Sequence, residues 1–285
     1  MKVDAHVHIF PPAVSINRDR YLASDLAFRT LYANPRAKTA GVNDVIEAMD
    51  RCGIDVSVLV NIGWSDQGLC RETNDFLLEA AQQHPRRLVV FCGVNPAVGS
   101  EAVKEVHRCA EFGARGIGEL HPDYQGYSLA DREVMTPVME AAKERGLVVL
   151  AHASEPVGHD YAGKGAVTPE VLYRFILAFP NSSVVLAHWG GGLPFYALMP
   201  EVRRAMANVY FDSAASPFLY EPAVFERVAS LVGPEKVLFA SDFPLIKQDR
   251  LMRQVMEADL SRHARDLILG GNAAKLFRLE PTEKA

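Results

Sequence analysis

Eight times along this chain a short apolar, β-branched run gives way to a longer amphipathic stretch that stops near a glycine or a proline. The runs are 2–10, 55–62, 87–94, 114–121, 147–153, 183–188, 208–212 and 236–242. Such strict alternation specifies a parallel sheet covered by helices, because parallel neighbours need a crossover between them. Eight units in 285 residues fit an α/β fold, a single (β/α)8 TIM barrel, better than an open doubly wound sheet. An open sheet would place a glycine-rich phosphate turn after its first strand, and Pro11-Pro12 stands there instead. No linker or shorter repeat divides the chain, so residues 1–285 are read as one domain.

One unit departs from the rhythm. From Pro11 to about Ala40 the chain is polar and aromatic, with Asp25, Phe28, Leu31 and Tyr32 at helical spacing and Asn34-Pro35 as a stop. An inserted loop or helix segment of this length after strand one is expected to cap the barrel mouth. Elsewhere Asn43 and Ser100 are expected helix N-caps, a helix is expected over 72–84, and Pro200 should break the helical stretch 193–206. Asn272 is expected to cap the last helix.

The chemistry concentrates where the apolar runs end. Lys2–Phe10 alternates polar and apolar residues, which puts Asp4, His6 and His8 on one strand face and Val3, Ala5, Val7 and Ile9 on the other. Two imidazoles at i and i+2 can reach one cation. The fourth run ends in Glu119 and His121, the fifth in His152, the sixth in His188 and the eighth in Asp242. Active sites of (β/α)8 barrels lie at these C-terminal strand ends. Each residue alone has an ordinary reading as a hydrogen-bonded rim residue or a turn cap, and His121, ahead of Pro122, has the weakest case. Their convergence on one rim is costly unless a metal binds them. The loop 154–165 is long, polar and glycine-rich, and its His159 and Lys164 are candidate substrate contacts, with Tyr124 after strand four and Trp189 beside His188.

These residues resemble the amidohydrolase superfamily of metal-dependent TIM-barrel enzymes. The resemblance rests on Asp4-Ala5-His6-Val7-His8, Ala187-His188-Trp189-Gly190-Gly191, Ser241-Asp242-Phe243-Pro244 and the tail 270–277. Within it the chain is similar to the "amidohydrolase 2" branch, which includes aminocarboxymuconate-semialdehyde and resorcylate-type decarboxylases. The resemblance implies that His6, His8, His152 and Asp242 hold the metal, typically zinc, with manganese as the other ion to consider. It also implies that His188 stands beside the metal-bound water and that Asp242 takes its proton. Strand four offers Glu119 where binuclear relatives carry a carboxylated lysine, so Glu119 is read as an extra ligand or as a bridge to a second ion.

Three functions follow. The first is a metal-dependent hydrolase of an amide, ester or lactone in a small molecule. The second is a lyase on the same site, decarboxylating or hydrating a small unsaturated or aromatic acid. Arg18, Arg20, Lys164 or Lys247 at the mouth would favour it. The third, a non-catalytic metal-binding barrel, is disfavoured because Asp242 and His188 exceed what a closed structural site needs. The net charge of −5 gives no basic surface for nucleic acid, and no apolar run is long enough for a membrane span. Cys52, Cys70, Cys92 and Cys109 are scattered without CxxC spacing, and no leader pattern precedes strand one, so a reduced cytoplasmic setting is expected. A homodimer is the expected assembly on general grounds.

Overall fold

The computed structural model describes residues 1–280. Eight strands pair in parallel in the order of the sequence: β1 (Val3–Val7), β2 (Val56–Val60), β3 (Leu88–Cys92), β4 (Gly116–Leu120), β5 (Val148–Ala151), β6 (Val184–Leu186), β7 (Val209–Asp212) and β8 (Val237–Leu238). The segment after β8 returns to β1. Ala5 donates to the Phe239 carbonyl at 2.9 Å, Asp242 N to the His6 carbonyl at 2.9 Å and His8 N to the Phe243 carbonyl at 2.7 Å. These bonds close the (β/α)8 barrel, and closure removes the sheet edges. Valines from β1, β2, β5 and β6 fill its interior, with Phe277, just past the last helix (Asn272–Leu276), packed edge-on against Phe91. The outward residues of the strands meet the helices in two larger apolar clusters.

The face assignment on β1 needs one correction. Val3 and Ala5 lie with the interior residues Val56, Val58 and Val60, whereas Val7 and Ile9 belong to the outer layer with Leu59. The pairing register slips between Asp4 and Val7, and an extra residue there exchanges the two faces. His6 and His8 therefore turn inward while Asp4 turns out. Asp4 is fully buried and accepts from Ser241 N (2.8 Å), Ser241 Oγ (2.5 Å) and Gln248 Nε2 (2.7 Å). It ties β1 to the strand-eight loop rather than entering the site.

The insertion folds as three short helices, Pro12–Ile16, Arg18–Ser24 and Leu26–Tyr32. Phe10, Tyr21, Phe28, Tyr32 and Trp64 pack them onto the barrel mouth. Asp25 caps the third helix through Phe28 N and also accepts from Ser65 N and Oγ, which fastens the insertion to the loop after β2. Other helix ends differ from the sequence expectation. Gly41, not Asn43, begins the helix Val42–Cys52, with Asp44 accepting from Gly41 N at 2.8 Å. The helix expected from residue 72 starts at Gln67, because Asp66 accepts from Leu69 N and caps it there. Gly99 precedes the helix that Ser100 begins. The stretch 193–206 breaks before Pro200 as expected. Asn272 is no cap: its amide donates to the carbonyls of Pro234 and Val237, both at 2.8 Å, and pins the last helix beneath β8.

Asp4→Ala should strip partners from three buried donors at the barrel seam. The expected loss is about 3 kcal/mol of stability, read as a lower urea midpoint with an unchanged m-value.

Candidate metal centre

Six ionisable side chains from five strand ends meet at the mouth. His6 and His8 come from β1, Glu119 from β4, His152 and His188 from the ends of β5 and β6, and Asp242 from beyond β8. Glu119 stands in the middle, only 6% exposed. Its Oε2 lies 3.5 Å from His6 Nε2 and 3.8 Å from His8 Nε2. Its Oε1 lies 2.9 Å from His152 Nδ1 and 3.5 Å from His188 Nε2. Gly118 makes this placement possible: at φ +136° it lies against the Leu150 carbonyl, which a Cβ would approach to 2.3 Å. Asp242 Oδ1 is 3.3 Å from His8 Nε2.

The outer nitrogen of every ring is already committed. His6 Nδ1 meets Asp212 Oδ2 at 2.9 Å, and His8 Nδ1 meets the Val60 carbonyl at 2.8 Å. His188 Nδ1 meets the Ala214 carbonyl and His152 Nε2 the Gly163 carbonyl, both at 3.0 Å. Carbonyls and carboxylates only accept, so each of these nitrogens carries the proton when the ring is neutral. The lone pairs of His6 Nε2, His8 Nε2, His152 Nδ1 and His188 Nε2 then point at Glu119 or at one another, with only 3.0 Å between His6 Nε2 and His8 Nε2. Acceptors aimed at acceptors need a proton or a metal cation between them. The donor set, imidazole nitrogen and carboxylate oxygen, is that of a divalent metal site.

Asp212 was not among the residues singled out from the sequence. It ends the strand Val209–Asp212, and it also receives His188 N at 3.0 Å. An acid where an apolar run leaves the sheet was the available signal, the same one that marks Asp242.

Above these donors a cavity of about 400 Å³ opens between the insertion and the strand-five loop. Leu31, Tyr32, Ile62, Phe218 and Leu245 give it apolar walls, and His8, Glu119, His121, His152, His188 and Asp242 give it a polar floor. Of the candidate substrate contacts, His159 lines it, beside Tyr161. Three other expected contacts lie elsewhere. Trp189 is fully buried, donates to Ser216 Oγ at 3.0 Å and packs on Phe225. Lys164 donates to the carbonyls of Val157, Gly158 and His159 and so folds its own loop. Tyr124 stacks on His121 and is not among the residues that line the cavity. His121, given the weakest case, does reach the cavity. It is buried flat on His152, and neither ring nitrogen has a partner. Arg18 is tied to the carbonyls of Tyr32, Asn34 and Ala37, and neither Arg20 nor Lys247 lines the cavity. Lys38 is the only lysine or arginine among the described residues that does.

A family model for amidohydrolases (Amidohydro_2) matches residues 3–279. The chain belongs to this amidohydrolase family. Its curated relatives include a 2-amino-3-carboxymuconate-6-semialdehyde decarboxylase of Dictyostelium discoideum, 22% identical over 99% of this chain and 93% of the relative. A 6-methylsalicylic acid decarboxylase of Penicillium expansum is 23% identical over 97% and 96%. Among solved structures, a 5-carboxyvanillate decarboxylase of Novosphingobium aromaticivorans, complexed with manganese and 4-hydroxy-3-methoxy-5-nitrobenzoic acid, superposes with a TM-score of 0.81 at 21% identity, covering 98% of this chain and 96% of that one. A 2,6-dihydroxybenzoate decarboxylase from Rhizobium gives 0.77 at 18% identity, with 98% of each chain covered. At these identities the structural likeness speaks for the fold.

The charges of the amidohydrolase floor are strongly coupled. Burial opposes a charge on His6, but Asp212 and Glu119 outweigh it and hold its pKa well above the ordinary imidazole value. Burial likewise opposes a charge on His188, and hydrogen bonding and attraction to Glu119 push its pKa up to about 9. Burial would raise Glu119 and Asp242, yet the histidines facing them hold both below the usual carboxylate range. Without a cation, protons on His6 and His188 balance Glu119. A metal must displace those protons, so its affinity should rise with pH toward about 9 and weaken as the rings protonate. Loading stripped protein with Mn²⁺ at pH 7 in weak buffer should release protons, measurable with an indicator dye. Asp212→Ala removes the acceptor that sets the His6 tautomer, and titration calorimetry should show metal affinity falling about 10- to 100-fold.

Proposed function

We propose that this chain is a metal-dependent decarboxylase of small aromatic or unsaturated carboxylic acids. The observation that carries the reading is the cavity itself: apolar walls around a space of about 400 Å³, above a floor built of metal donors and proton carriers. The decarboxylase names of the relatives support it and favour it over hydrolysis. Manganese, present with a benzoic acid analogue in one relative, is the ion to test ahead of zinc.

His6, His8 and Asp242 would hold the cation together with Glu119, and His152 faces Glu119 from the other side. A cation held there would supply positive charge to offset that of a substrate carboxylate. Leu31, Ile62, Phe218 and Leu245 clamp the ring and exclude water, so a charged carboxylate leaves more readily as neutral carbon dioxide. Lys38 in the wall adds a positive charge for an anionic ring substituent. The bond between ring carbon and carboxyl carbon breaks, and its electron pair stays on the ring carbon. Asp242 faces the cavity and, once it has taken a proton from solvent, passes that proton to this carbon. The products are carbon dioxide and the ring bearing hydrogen, with no oxidant or reductant consumed.

The test is turnover of a hydroxybenzoate panel by Mn²⁺-loaded protein, followed by carbon dioxide release. In D2O, deuterium should appear at the vacated carbon, and oxygen-18 from water should be absent from the aromatic product. Asp242→Asn should lower kcat about 10²- to 10⁴-fold. Oxygen-18 in the product without carbon dioxide would establish hydrolysis instead.

A further inference from the structure

We infer that Asn61 is a positioning residue for the mouth of the barrel: its buried side chain fixes the short piece of main chain on which both His8 and Glu119 hang. The inference rests on reading the strand-end cluster as a metal centre, and it holds whichever acid is the substrate.

Asn61 directly follows β2. Glu119 belongs to β4, two strands away, yet its N–H reaches across and donates to the Asn61 carbonyl at 2.6 Å. The preceding carbonyl, of Val60, takes His8 Nδ1 at 2.8 Å. Two successive carbonyls therefore hold the ring of one candidate metal donor and the backbone of another. The approach is close: a Cβ on Gly63 would come within 2.4 Å of His121 Cβ and 3.2 Å of the Glu119 carbonyl oxygen. A tilt of the chain at 60–61 would misdirect both donors at once.

The Asn61 side chain prevents that tilt. It is buried, and its amide is bonded on both sides. Nδ2 donates to Thr73 Oγ1 and to Asn74 Oδ1, both at 2.7 Å, and Oδ1 accepts from Trp64 Nε1 at 3.0 Å. Asn74 is held in turn. Its Oδ1 accepts from Gly93 N and its Nδ2 donates to the Gly93 carbonyl and to Glu105 Oε1, all at 2.8 Å. Glu105 is buried and pairs with Arg108, which reaches Asp75 on the outside at 2.6 Å. The helices Gln67–Gln83 and Ser100–Glu111 carry this column of polar groups inward. None of its members lines the cavity or belongs to the donor clusters, so neither binding nor chemistry accounts for them.

Apolar side chains would pack these helices on the barrel without the cost of desolvating each polar group. A fully satisfied network gives what apolar packing does not, one fixed arrangement of the groups it holds. Here the groups so fixed are the carbonyls under His8 and Glu119. The same amide receives Trp64, which stacks on Phe28 at 5.3 Å, in the helix whose Leu31 and Tyr32 line the cavity. One side chain thus sets the metal-facing floor and one wall in register.

The test uses the full chain and takes two readings. In metal-free protein labelled with ¹⁵N-histidine, nuclear magnetic resonance reads which nitrogen of His8 carries the proton, with His8→Gln assigning the signal. Titration with Mn²⁺ alone, followed by the electron paramagnetic resonance of the free ion, reads affinity. Asn61→Ala should turn the His8 Nδ1–H form into a mixture of tautomers and weaken Mn²⁺ binding about 10- to 100-fold. Asn272→Ala gives up two buried hydrogen bonds beneath β8 and controls for lost stability: its thermal midpoint should fall while both readings keep their wild-type values. Should Asn61→Ala fail to fold, the isosteric Thr73→Val removes one partner of the amide and should move the readings the same way by a smaller factor. A shift in either reading that Asn272→Ala lacks supports the assignment. Wild-type values in both, or an equal shift in Asn272→Ala, overturn it. The tautomer reading needs no metal, so a wild type that binds no Mn²⁺ defeats the metal-centre reading and still leaves Asn61 to be decided on His8.

Discussion

A charged carboxylate buried at the end of a barrel is the constraint on which the rest of this structure depends. Glu119 has lost almost all its water, and an isolated ion in that position would cost several kcal/mol. It stays ionised because four imidazoles surround it. Those imidazoles come from β1, β5 and β6, and β4 carries the acid. Only a closed barrel brings the ends of such distant strands to one point. The seam at Asp4, the closing bonds from β8 to β1 and the packed interior all serve to hold that convergence.

The second layer gives the floor its direction. Asp212 and the carbonyls of Val60, Gly163 and Ala214 each take one ring nitrogen and leave the other free. Three of these four acceptors are main-chain atoms, so the fold itself, more than any side chain, selects the tautomers. This is why the histidines are poised for a cation instead of pairing idly with neighbouring groups.

Much of this was legible in the sequence because two signals coincided. The alternation of apolar run and amphipathic stretch gave the barrel, and an ionisable residue at the end of a run marked His152, His188 and Asp242. Asp212 carried the same mark, but its role runs through His6, 206 residues away, and spacing does not reveal such a contact. Asp4 misled because the bulge that turns it outward is decided by pairing with β2, not by β1 alone. Trp189 misled for a local reason. The backbone is left-handed at both His188 (φ 54°) and Trp189 (φ 58°), so adjacent side chains part, one to the cavity and one to the core. Lys164 looked like a ligand for substrate, but the glycine-rich loop around it has carbonyls that need a donor, and its ammonium supplies one.

Gly163 links two properties that might otherwise vary separately. Its carbonyl anchors His152, and the same residue lies in the cavity wall with His159 and Tyr161. A change in the loop that reshapes the wall for a different ring therefore also moves the hook on which a metal-facing histidine hangs. Diversification of this loop is confined to sequences that keep one carbonyl in place. Substrate range in chains of this design should drift through the insertion after β1, whose packing on the barrel mouth is mainly apolar, sooner than through the loop after β5.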